Sequence, residues 1–102
     1  MWLFLSDAML SIVQKPGDKD VLTVRARIQG DIERVFPDAT VEANKGTDYK
    51  YRAKVPREQV AKALFDRAMD LSYANFKSTV KNRKRHDAYL DTWEAMYRIQ
   101  DK

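Results

Sequence analysis

The densest chemistry in this chain lies between residues 73 and 97. Lys77, Lys81, Arg83, Lys84 and Arg85 fall in a short stretch that holds no acid. Tyr73 and Phe76 precede them, and Tyr89, Trp93 and Tyr97 follow. Clustered cations attract polyanions, because binding releases condensed counterions. Neighbouring aromatic rings offer stacking platforms for unpaired bases. His86, the only histidine, closes the basic run, with Asp87 beside it. Imidazole next to carboxylate is the start of a general-base arrangement. However, consecutive residues of a helix point about 100° apart, so adjacency alone does not pair them.

Other chemistries lack their parts. With no cysteine, the chain has no disulfide, thiolate metal site or thiol nucleophile. Its three scattered glycines cannot build a phosphate loop. Asp87, Asp91 and Glu94 recur at i, i+4 and i+7, the pattern of a solvated helix face rather than of a magnesium site. No catalytic residue, metal ligand or cofactor is assigned. The charge has one origin: taking those five basic residues from the 19 Lys and Arg leaves 14, against 15 Asp and Glu. The excess of +4 therefore belongs to the segment 77–86.

Elements must position these groups. Trp2 to Gln14 reads as one bent strand, with a bulge where the alternation weakens at Ser6-Asp7-Ala8. Pro16-Gly17 makes a turn. Residues 21–27 then alternate, with Leu22, Val24 and Ala26 against Thr23, Arg25 and Arg27. Ile28, Ile32, Val35 and Phe36 share a helical face, although Gly30-Asp31 is an alternative start, and Pro37 ends the helix. Thr40 to Asn44 is a brief strand, and KGTD turns it back. Tyr49, Tyr51, Ala53 and Val55 then alternate with Lys50, Arg52 and Lys54. A helix follows Pro56, with Val60, Leu64, Ala68 and Leu71 as its stripe. A turn of helix is expected near Phe76 to Val80, and a last helix from about Asp87 to Gln100. Trp93 is expected to pack on Leu64 and Phe65.

The order is β-β-α-β-β-α-α. The expected fold class is α+β: one domain over residues 1–102, with a single four-stranded antiparallel sheet of two hairpins and helices on one face. If strands 21–27 and 49–55 are neighbours, Arg25, Arg27, Lys50, Arg52 and Lys54 share the face away from the helices. Glu42 would lie among them. MWLFLSDAML lacks a basic leader, and Asp7 interrupts it, so it reads as neither signal peptide nor membrane span. A cytoplasmic protein is expected, with no membrane partner.

MWLFLSDAMLSIV, DYKYRAKVPREQVAKAL, YANFKSTV and RHDAYLDTWEAMY together resemble a family of small uncharacterised bacterial proteins, over nearly the whole chain. The resemblance implies a bacterial cytoplasmic domain of about this length and carries no activity. It directs attention to Asn75, Lys77, Arg85, His86 and Tyr89. Asn75, His86 and Tyr89 form a candidate polar site that also has a structural account. Asn75 can cap the turn at Phe76, and His86 and Tyr89 share a helix face.

The sequence thus favours a small non-catalytic interaction or regulatory module that binds a protein partner, self-association included. The alternative is sequence-indifferent binding of RNA or single-stranded DNA. That would use Lys77, Lys81, Arg83, Lys84 and Arg85 with the sheet cations Arg25, Arg27, Lys50, Arg52 and Lys54. An enzyme is the least supported reading.

Overall fold

A computed structural model of the protein describes residues 1–44 and 46–100. The chain groups into two compact units, residues 1–71 and the residues from Ser72 onward.

The first unit is an antiparallel sheet with two helices. Its strands are β1 (Trp2–Phe4), β2 (Met9–Val13), β3 (Val21–Ala26), β4 (Glu42–Ala43) and β5 (Tyr51–Pro56), in the spatial order β1-β2-β3-β5-β4. The sheet has five strands, not the expected four, because Trp2 to Gln14 is not one bent strand. Ser6-Asp7 is a reversal rather than a bulge: the Leu5 N–H donates to the Ala8 carbonyl at 2.8 Å. Leu3 consequently lies opposite Leu10, and both face the core. The β2–β3 turn is built as expected. Asp18 N–H donates to the Lys15 carbonyl at 3.0 Å across Pro16-Gly17, and Gly17 has φ 85°, which a side chain at that position would resist.

Helix α1 is Asp31–Val35, shorter than the apolar spacing from Ile28 suggested. Gly30 adopts φ 94° and interrupts any helix begun earlier, leaving Ile28 exposed. Helix α2, Arg57–Met69, follows β5 directly. Ile32 and Phe36 from the α1 region and Val60 from α2 join Leu10, Ile12, Val24, Ala26, Ala53 and Val55 in one core. Both helices therefore lie on one face of the sheet, as expected. Lys45, in the expected KGTD turn, lies outside the described residues. Beside it, Asn44 Oδ1 accepts the Gly46 N–H at 2.9 Å.

The second unit holds a 3-10 turn, Lys77–Thr79, and helix α3, Arg83–Ile99. The turn forms as Asn75 predicts, with its Oδ1 accepting the Ser78 N–H at 3.3 Å. Helix α3 starts four residues before the expected Asp87. Its cap is Asn82, whose Oδ1 accepts the Arg85 N–H at 2.9 Å. Arg83, Lys84 and Arg85 thus belong to the first helical turn rather than to the connection before the helix. No described helix is long and apolar enough to cross a membrane.

Candidate functional site

The basic segment divides once it is folded. Arg85 is buried, and its Nη1 donates to the Tyr89 hydroxyl at 3.3 Å. Tyr89 is itself buried and stacks on Phe76 at 5.8 Å between ring centroids. This pair belongs to the packing of the unit, so Arg85 leaves the group of exposed cations. Lys81, Arg83 and Lys84 remain exposed. Two of them stand in the first turn of α3, where the helix dipole disfavours cations by roughly a few tenths of a kcal/mol each. No acid in that turn compensates them.

Lys77 takes another role. Its ammonium lies 4.3 Å from the centroid of the Trp93 ring. Trp93 in turn stacks on Tyr97, with centroids 5.3 Å apart and planes 4° from parallel. The stripe of α3 that begins with His86, Tyr89 and Leu90 continues through Trp93, Met96, Tyr97 and Gln100. Its first half is buried or half-buried. Its second half is not: Trp93 is 49 %, Met96 58 % and Tyr97 44 % exposed. The spacing of these rings predicts a core position, yet in this half of the stripe they stand substantially exposed. Trp93, Met96, Tyr97, Ile99 and Gln100 line an open hollow of about 550 Å³. In the first unit, α2 repeats the theme. Val60 is buried and Leu64 half-buried on its sheet side, while Phe65 (63 %) and Met69 (70 %) are exposed, as are Ala68 and Leu71 of the expected stripe.

Beside His86 the described residues place a single carboxylate. The His86 Nδ1 lies 3.4 Å from Asp87 Oδ1; His86 is half-buried and Asp87 exposed. The hollow beside it, about 310 Å³ and open, is lined by Val80, Lys81, Arg83, His86 and Asp87, which supply one carboxylate. Among the described residues no group of three potential metal ligands occurs.

The sheet face opposite α1 and α2 carries the other expected cations. Registers set Ser11 opposite Arg25, Arg25 opposite Arg52 and Arg52 opposite Glu42. The expected open basic surface is graded rather than uniform. Arg27, Lys50 and Lys54 are exposed, Arg25 and Arg52 are half-buried, and Ser11 and Thr23 of the same face are buried. Long side chains lie along the sheet and bury their stems. Tyr49, expected in the apolar alternation, precedes the first paired residue of β5. Its buried ring sits 4.6 Å from the Arg25 guanidinium carbon and 4.1 Å from that of Arg27. Asp48 pairs with Arg27 at 3.2 Å, and this hydrogen bond raises the Arg27 pKa above its ordinary value. Lys54 pairs with Asp18 at 3.4 Å. Glu42 makes no ion pair with Arg52 among the described residues.

Asp31 is a functional-looking residue that periodicity did not single out. It is buried, its Oδ2 accepts the Met9 N–H at 3.0 Å, and its Oδ1 accepts from Arg34 at 2.8 Å. Its carboxylate ties α1 to β2 and is structural.

Comparison of the chain with protein-family models, with curated proteins and with solved structures finds no match. The resemblance to small bacterial proteins has no counterpart there, and function is argued from geometry alone.

Proposed function

We propose that this chain is a non-catalytic, cytoplasmic interaction module that presents the second half of α3 to a partner protein. The observation that carries this reading is the exposed run Trp93, Met96 and Tyr97, on the same helical stripe as buried Tyr89. Large rings left in water cost free energy that an apolar groove recovers, and Trp and Tyr are the residue types that dominate such contacts. Exposed Lys81, Arg83 and Lys84 at the other end of the helix give the partner groove an acidic rim at that end. This is the helix-in-groove mode of recognition, in which spaced side chains on one face act as anchors.

The test uses the chain and its partner as purified components, after nuclease treatment. Trp93→Ser combined with Tyr97→Ser is expected to weaken the complex at least about 30-fold, as loss of a central aromatic anchor does. Both residues are exposed, so the fold survives. A complex that forms equally well with the double variant overturns the reading.

Single-strand nucleic-acid binding is the second reading. It is favoured by the Lys77–Trp93–Tyr97 stack and by three exposed cations with no ion pair among the described residues. A gel shift with short RNA and single-stranded DNA at two salt concentrations decides it. Replacing Lys81, Arg83 and Lys84 with Ser is expected to remove most of the complex. It should also flatten the salt slope by about 2, near 0.7 for each phosphate no longer neutralised. Absence of a complex at low salt ends this reading.

A further inference from the structure

The Arg25–Arg52 pair on the outer sheet face is not explained by packing or by the α3 surface. The two guanidinium-bearing residues stand directly opposite each other on β3 and β5. Like charges in that position repel, at a distance of about 5 Å between Cβ atoms. The Nε of each is buried with no acceptor among the described residues. Arg25 has one neutral acceptor, the Ser11 hydroxyl at 2.6 Å, and the Tyr49 ring. Arg52 has no hydrogen bond or ion pair among the described residues. Glu42 stands opposite Arg52 but is exposed and makes no ion pair with it among the described residues, so the half-buried cation pair is electrostatically unfinished.

The flanks indicate what would finish it. Arg27 is already paired with Asp48, and Lys54 with Asp18. A polyanion needs a track of available cations, and apart from exposed Lys50 the unpaired charge of this face is concentrated at one cross-strand pair. Two guanidinium forks carried by directly opposed residues have the charge and donors for one tetrahedral dianion, since guanidinium groups bind phosphate through paired N–H donors. A carboxylate brings a single charge and leaves half of the pair uncompensated.

We infer that Arg25 and Arg52 form a binding site for a single phosphoryl group, either free phosphate or the terminal group of a small phosphate monoester. Ser11 holds one nitrogen of the Arg25 guanidinium, and the Tyr49 ring lies against it.

The site is tested on the whole chain at neutral pH and constant ionic strength, following the arginine Nε–H resonances by NMR. The probes are inorganic phosphate, methyl phosphate, acetate and a short single-stranded oligonucleotide. Inorganic phosphate, methyl phosphate or both are expected to shift the Arg25 and Arg52 resonances saturably. Tighter binding of inorganic phosphate identifies the free ion, and binding of methyl phosphate at least as tight identifies an ester. Arg52→Gln is expected to weaken binding about tenfold or more, and Arg25→Gln to do the same, while Lys62→Gln, with the same loss of charge on α2, leaves it unchanged. Thermal denaturation shows that each variant is folded. A linear response, equal affinity for acetate, or equal affinity of Arg52→Gln and Arg25→Gln with the parent overturns the inference. So does an oligonucleotide that saturates these resonances far more tightly than either small phosphate. The measurement contains no protein partner, so its outcome is independent of the α3 reading.

Discussion

Leu10→Ala is expected to destabilise the first unit by about 3 to 4 kcal/mol, the range for a large-to-small change in a core that cannot collapse around the void. Leu10 has no solvent exposure and sits in mid-sheet, with Leu3 opposite it on β1 and the α1 residues Ile32 and Phe36 in the same cluster. Strands on either side of β2 hold the backbone in register, so the neighbours have little freedom to fill the space. A small domain has about 5 to 15 kcal/mol of total stability, and this loss is a large part of it. Urea denaturation should show a lower midpoint with an unchanged slope. Leu3→Ala, at the partly buried edge of the same pair, should cost clearly less. Equal costs would place the centre of the core elsewhere.

The second large effect is expected from Asp31→Ala, at roughly 2 to 3 kcal/mol. The carboxylate is 1 % exposed and accepts from a backbone N–H 22 residues away as well as from Arg34. Removing it strands the Met9 N–H inside the protein, and an unsatisfied buried donor carries the full desolvation cost. Arg34 is half exposed and regains water, so its loss of a partner adds little. Arg34→Ala tests the other half of the network: it leaves the buried carboxylate without its charged donor and should cost roughly 1 to 3 kcal/mol. Stability unchanged in both variants would refute the assignment. A melting temperature lower by more than about 10 °C is expected for Asp31→Ala, from the usual 4 to 8 °C per kcal/mol in a domain of this size.

These residues also mark what the sequence displays and what it conceals. Strands β3 and β5 follow from strict alternation, which puts Arg25 and Arg52 on one face once the two strands are neighbours; the pairing and register that set them directly opposite are not in the alternation. The Pro16-Gly17 turn is equally legible, because its backbone needs those residue types. The β1–β2 reversal is not, since Ser6-Asp7 contains neither proline nor glycine and apolar residues flank it on both sides. Asp31 is hidden for a different reason: its value lies in one long-range hydrogen bond, and periodicity carries no information about partners. Helix α3 shows the commonest limit of pattern reading. The spacing of Tyr89, Trp93, Met96 and Tyr97 marks a face that avoids water. It does not say whether that face is covered by the same chain. Arg85 shows the converse, a cation in a basic run that folding withdraws to the side of Tyr89.

The sheet of the first unit closes with very short flanks: three residues in β1 on one side and two in β4 on the other. Short margins offer few vacant amides and carbonyls for another chain to template on. Both borders therefore give little template for runaway stacking of copies into cross-β fibres. Encounters with other molecules are left to side chains, whose chemistry can discriminate where bare backbone cannot.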